Sequence, residues 1–338
     1  MRVRLAGAVH AGDVNSGMGV VRAAAQFLLA TLAMLVGCGR SPVPPPPSAA
    51  TDPGQPRVVV LSPALAVTMK DLGLARLAVG RHGYDLALDP ALPVCGDQAG
   101  IDYETLLRAR PTHILLQWGA RDLPPRLDEL AADHGWIVQN FEVLTLNDIR
   151  TSAVEMHDLL VGPDLQRTQD RPPGNDPVPA AIEGPPLLAE MERAFRVRGT
   201  GFAGAGRVLI LTSTSPASAV GPGSFHHQVL EAIGGRPALT AGGPYQELDG
   251  EDVIHLAPDA IVLLLPRAPS AAPRNATLTA AEIDALLGPL ASLPIPAVRS
   301  RRVAIIDDPL CLLPSSSMIL VADRLAEILT EWRQPAIR

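Results

Sequence analysis

Ile101-Asp102-Tyr103-Glu104-Thr105-Leu106-Leu107-Arg108-Ala109-Arg110-Pro111-Thr112-His113-Ile114-Leu115-Leu116 returns, in altered form, as Leu248-Asp249-Gly250-Glu251-Asp252-Val253-Ile254-His255-Leu256-Ala257-Pro258-Asp259-Ala260-Ile261-Val262-Leu263. In both stretches an Asp stands two residues before a Glu, a short apolar segment follows, and a Pro comes seven residues after the Glu. The Asp suits a helix N-cap, and the Glu falls in the first turn, where it complements the helix dipole. The Pro stops the helix, and the aliphatic run beyond it reads as a buried parallel strand. A period this long is no solenoid. It predicts two similar α/β lobes.

A second pair of segments has nearly the same offset. Arg57-Val58-Val59-Val60-Leu61-Ser62-Pro63 and Arg207-Val208-Leu209-Ile210-Leu211-Thr212-Ser213 are basic-led β-rich runs that end in hydroxyl residues. Each is expected to open its lobe with a central strand. Ligands of such sheets bind beyond the carboxyl ends of the strands, so two facing lobes imply a cleft between them.

The 338 residues suffice for two domains, and a hydrophobic content of 47% supports substantial cores. A net charge of −7 argues against a nucleic-acid partner. Arg22 followed by the apolar run Ala23–Val36 has the form of a signal peptide and is short for a membrane span. Leu35-Val36-Gly37-Cys38 resembles a bacterial lipobox, which makes Cys38 the expected lipid anchor, the alternative being an ordinary secretory signal. Residues 39–56 are rich in Pro and Ser, as suits a semi-rigid tether. The expected organisation is a signal peptide at 1–38, a tether at 39–56, an N-terminal lobe at 57–161, a Pro-rich insertion with a linking helix at 162–200, and a C-terminal lobe at 201–338. Within 162–200 the linking helix is expected at Leu187–Arg198, and the segment Gly162–Pro186 is expected not to be helical throughout.

Cys95 and Cys311 are the only other cysteines, and the sequence leaves open whether they pair or stand as independent thiols. With no CxxC or Cys/His cluster, no metal site is expected. No GxSxG nucleophile turn, P-loop or GxGxxG is present, so the chain is expected to bind rather than catalyse.

Taken in order, Arg57–Pro63, Leu72-Gly73-Leu74, Glu104–Leu116, Gly221-Pro222-Gly223-Ser224-Phe225, Leu230–Gly235 and Glu251–Leu263 resemble the periplasmic substrate-binding proteins of ATP-driven importers for cobalamin, iron-siderophores and haem. The resemblance covers 57–161 and 200–332. It implies two Rossmann-like lobes with mostly parallel sheets, joined by a linking helix, with the ligand held between them. It further implies a monomer on the periplasmic or cell-envelope face of a membrane, held there only by its lipid, that serves an ABC permease dimer and its ATPase. The cobalamin-binding layout is the closest, with haem or a ferric siderophore as the alternative ligand. By position, the resemblance makes Tyr84, Gln117, Trp118 and Tyr245 pocket residues. Gln98 stands where a second tryptophan is expected, and the pocket aspartate is shifted to Asp308. Glu104 and Glu251 correspond to the permease-docking glutamates. A haem ligand draws attention to His82 and Tyr84 on one loop and to His226-His227 in the other lobe, because imidazole and phenolate both ligate haem iron. Two other classes remain: a ligand-sensing lipoprotein without a transporter, and an envelope enzyme on a similar scaffold.

Overall fold

A computed structural model describes residues 54–169, 185–198, 201–273 and 278–333, with no side-chain description for 163–169. Cys38, nearly all of the tether and most of the Pro-rich insertion lie outside the described residues. Gly54–Arg338 forms one compact unit.

The first half builds a six-stranded sheet. Its strands are β1 (Val58–Val60), β2 (Ala78–His82), β3 (Val94–Asp97), β4 (Gly100–Ile101), β5 (His113–Leu116) and β6 (Ile137–Asn140), in the order β4-β3-β2-β1-β5-β6. All pairs are parallel except β3 with the short edge strand β4. Three helices connect these strands: α1 (Pro63–Asp71), α2 (Tyr103–Ala109) and α3 (Pro125–His134). Next come α4 (Leu146–Gln169) and α5 (Pro186–Ala194).

The second half contributes β7 (Arg207–Thr214), β8 (Ala217–Val220), α6 (Phe225–Ala232), β9 (Arg236–Pro237), β10 (Tyr245–Leu248), α7 (Gly250–Leu256), β11 (Ala260–Leu264), α8 (Ala280–Leu287), α9 (Pro296–Arg299), β12 (Val303–Ile306) and α10 (Met318–Arg333). The strand order is β10-β8-β7-β11-β12, with β9 beside β7. The pairs made by β8 are antiparallel and the others parallel.

The repeat read from sequence is repeated structure. Asp102 and Asp249 are N-caps, accepting from Thr105 N at 3.0 Å and Asp252 N at 2.8 Å. Each helix ends on a left-handed residue, Arg110 (φ 46°) or Ala257 (φ 42°), immediately before the Pro. The strands that follow, β5 and β11, lie parallel to β1 and β7, the two basic-led runs. Gly206 precedes the second run at φ 80°, and a Cβ there would run into the Asp259 side chain, whose carboxylate accepts from Arg207 N at 2.7 Å.

Side chains along the central strands alternate between two environments, as a period of two requires. Val59, Ile114 and Leu116 face a small core with Leu106 and Leu127. Leu209, Leu211, Ile261 and Leu263 face another with Val253, Ile283 and Leu287. The opposite faces, with Val58, Val60 and Leu115 in one sheet and Val208, Ile210, Val262 and Leu264 in the other, share a single core. Met69, Met156, Met191, Phe225 and Val321, from five different helices, fill it.

The linking element differs from the sequence reading. α4 runs for 24 residues, about 36 Å at 1.5 Å per residue, and continues past Gly162 and Pro163. It packs on α1 in the first half and on α6 in the second. The helix expected at Leu187–Arg198 is shorter, Pro186–Ala194, and stops where Phe195 leaves helical geometry (ψ 48°). The Pro-containing stretch 81–102 holds β3 and β4 as well as loops.

Candidate functional site

The parallel order of the first sheet brings the carboxyl ends of its neighbouring strands to one edge. Gln98 follows β3, Tyr84 follows β2, Ser62 follows β1, and Gln117 and Trp118 follow β5. Four of the six candidate ligand residues therefore share that edge, and the backbone there is held by side chains. Ser62 Oγ donates to Gln117 Oε1 at 2.9 Å, tying the end of β1 to that of β5. Asn140, the last residue of β6, accepts from Trp118 N at 2.8 Å and donates to the Gly119 carbonyl at 2.8 Å. Tyr84 N donates to His82 Nδ1 at 3.1 Å, and Asp85 accepts from Ala87 N and Leu88 N. Tyr84 itself is 61% exposed on the loop these bonds brace. Trp118 is half-buried, with the Arg121 guanidinium 6.0 Å from its ring centroid. Gln98 is exposed in the β3–β4 turn.

Sequence reasoning missed three neighbours on this edge. Arg121 is an exposed cation beside Trp118. Leu86 is 49% exposed on the Tyr84 loop, and Leu144, after β6, is 61% exposed. Leu144 is presented by a capping turn, in which Asp148 accepts from Leu144 N at 3.1 Å and Thr145 N at 2.8 Å. The sequence carried the Thr-x-x-Asp cap that follows Leu144, but nothing that set Leu144 apart from its apolar neighbours Val143 and Leu146.

The second-half candidates are placed separately. Asp308 follows β12, and its carboxylate accepts from Leu310 N at 2.8 Å. It lines a groove of about 420 Å³ together with Asp71, Leu86, Leu187, Ser316 and Leu320. Tyr84, Gln98, Trp118 and Tyr245 are not on the walls of that groove. Tyr245 opens the edge strand β10 and is 57% exposed. Leu248, rather than Tyr245, lies beside the carboxyl end of β7, since Leu248 pairs with Ala217 and Ala217 with Thr214.

The histidines considered for haem are committed elsewhere. His82 is buried, and desolvation lowers its pKa against the opposing pull of Asp97 and Asp85. His226 Nε2 lies 2.7 Å from the Cys311 carbonyl, and burial lowers its pKa to about 4. His227 Nε2 lies 3.1 Å from the Leu239 carbonyl, and Nδ1 lies 3.3 Å from Glu231. Both belong to the packed start of α6. Among the described residues, no group of three or more His, Cys, Asp or Glu side chains converges as a metal site. Cys95 and Cys311 are free and buried in different cores, and desolvation raises their pKa values to about 11 and about 12.

Glu104 and Glu251 stand exposed in the first turns of α2 and α7. Glu104 pairs with Arg108 at 3.4 Å across one helical turn, and Glu251 makes no ion pair among the described residues.

Several solved structures share this arrangement of sheets and helices. The haem-binding protein BhuT, in complex with two haems, matches with a TM-score of 0.57 and 23% identity over 83% of this chain and 100% of its own. The fold is that of the periplasmic binding proteins. RhuT of Roseiflexus sp. RS-1, a periplasmic haem-binding protein in apo form, matches at 0.57 and 20% identity, over 83% of this chain and 100% of its own. The vitamin B12-binding protein BtuF of Vibrio cholerae matches at 0.55 and 14% identity, over 82% of this chain and 98% of its own. No protein-family model and no curated protein matches the sequence. Among the described residues no helix is long and apolar enough to cross a membrane.

Proposed function

We propose that this chain is a lipid-anchored solute-binding protein that holds a bulky, ring-shaped cofactor and delivers it to an ABC permease dimer driven by a separate ATPase. The observation that carries the reading is the carboxyl edge of the first sheet. There Tyr84 and Trp118 are kept out of the core by backbone clamps from His82 and Asn140. Rigid aromatic rings offer a large contact area at low entropic cost and suit a flat macrocycle. Gln98 and Gln117 add neutral polar groups to the same edge, and the proposal takes from the second half Asp308, whose groove Leu86 of the Tyr84 loop also lines, and the more distant Tyr245. The shared core supports a protein that hinges little on binding.

Cobalamin is the first candidate ligand. Haem is the second, favoured by the haem-binding proteins of the same fold. With His226 and His227 engaged inside the second lobe, a haem iron would draw its ligand from the first lobe, where the Tyr84 phenol is the accessible group. The test is a thermal-shift and fluorescence titration with cyanocobalamin, haemin and a ferric siderophore, since a ligand that binds only the native state raises the midpoint. A response to none of the three rejects the reading. The anchor is tested separately. Cys38→Ala should release the mature chain from the membrane or leave uncleaved precursor, and a processed variant that stays membrane-bound removes the lipid from the proposal.

A further inference from the structure

The helix α6 fastens two distant turns at once. On one side His226 Nε2 bonds to the Cys311 carbonyl at 2.7 Å, which holds the turn that carries Asp308. On the other, Gln228 Oε1 accepts the Leu146 N–H at 2.7 Å across 82 residues of chain. Leu146 is the first residue of α4, and its N–H belongs to the group at a helix start that has no partner within the helix. Its neighbours satisfy one another locally: Asp148 accepts from Leu144 N and Thr145 N, and Thr145 Oγ1 accepts from Asp148 N at 3.2 Å. The turn presenting Leu144 is thus closed partly by its own residues and partly by a side chain from the other half of the molecule. Ser224 caps α6 through His227 N and is itself tied to the Gly221 carbonyl, so Gln228 projects from a fixed helix.

We infer that Gln228 is a positioning residue. By accepting the first N–H of α4 it sets the spacing between the Leu144 turn of the first half and the Asp308 turn of the second. That these turns contact ligand rests on the function proposed above; the spacing itself does not. Gln228→Met keeps the chain length and removes the acceptor, whereas Gln228→Glu keeps an oxygen at the same reach. The experiment is an electron-spin distance measurement between labels at Asp133→Cys on α3 and Ala285→Cys on α8, both exposed, in the full chain with Cys38→Ala; Cys95 and Cys311 are buried. Gln228→Met should broaden the distance distribution and raise the Kd for cyanocobalamin or haemin at least tenfold, and Gln228→Glu should restore both. Gln228→Asn, which draws the acceptor back by one carbon, should fall between them and serves if the Met variant folds poorly. A distribution unchanged in both the Met and Asn variants overturns the inference; broadening with an unaltered Kd supports the spacing role and shows that these turns do not contact the ligand. If neither probe binds the unmodified protein, the functional reading fails while the distance comparison still decides the role of Gln228.

Discussion

Arg207 Nη2 donates to the carbonyl of Ala257 at 2.9 Å, and Arg57 Nη2 donates to that of Ala109 at 2.8 Å. Each arginine stands at the start of the central strand of its sheet and reaches sideways to the end of the repeated helix, where unsatisfied carbonyls concentrate negative partial charge. The main chain copies the relationship: Arg57 N donates to Thr112 Oγ1, and Arg207 N to Asp259 Oδ2. Arg57→Ala or Arg207→Ala should each cost about 1–2 kcal/mol, as expected for a charged hydrogen bond that is partly exposed. Denaturant melts should show the loss while ligand affinity stays within twofold. A variant as stable as the unmodified chain would reduce these bonds to surface decoration.

Stability should fall on acidification because of His226. Its folded pKa of about 4 lies below its ordinary value of 6.5, so the unfolded chain takes up the proton first. The associated stability is complete above pH 6.5, declines as pH falls, and is lost near pH 4. Two to three pH units correspond to roughly 3 kcal/mol. His82 and His113, also lowered by burial, act in the same direction. His226→Gln keeps a donor for the Cys311 carbonyl without the titration. Its melting temperature should drop less between pH 7 and pH 5, and an equal drop would assign the acid sensitivity to other groups.

Tyr84→Ala and Trp118→Ala should each weaken ligand binding by about ten- to thirtyfold, the range expected of aromatic anchors at an interface. Arg121→Ala should cost less, because an exposed cation–π contact contributes about 0.5–1 kcal/mol. Since Tyr84 and Arg121 are exposed, their variants should melt near the temperature of the unmodified chain. Calorimetry that finds full affinity in the double variant Tyr84→Ala/Trp118→Ala would move the site away from this edge.

Glu104→Ala combined with Glu251→Ala should leave ligand affinity intact and slow uptake or permease association, with a weaker dependence on salt. The Glu104–Arg108 contact is an exposed i,i+4 pair worth about 0.3–0.5 kcal/mol, so the fold should barely register its loss. Normal transport by the double variant at normal expression would leave both residues as ordinary helix starts.

The parts of the fold legible in sequence were those with strong local chemistry. The Asp caps, the Pro stops and the continuous aliphatic runs each act within a few residues, and all stand where they were expected. The basic residue leading each central strand was visible too, but its role was not, because the carbonyls it meets lie about fifty residues away. α4 depends on distant contacts too: it continues through Gly162 and Pro163, and upstream it is held by burial of Ile149, Ala153, Met156 and Leu160 in the shared core. At the candidate site, aromatic residues at strand ends drew attention. Leu144 and Leu86 did not, since an apolar residue becomes informative there only once its exposure is known.

The core that joins the inner faces of both sheets has a consequence for how the molecule comes apart. Neither half can melt without stripping the other of its packing, so local openings should be confined to the outer loops and heat should drive one all-or-none transition. A ligand touching only one edge of one sheet would then protect every strand equally. Calorimetric and van't Hoff enthalpies should agree, and hydrogen exchange in β11, far along the chain from Tyr84, should slow when a ligand binds.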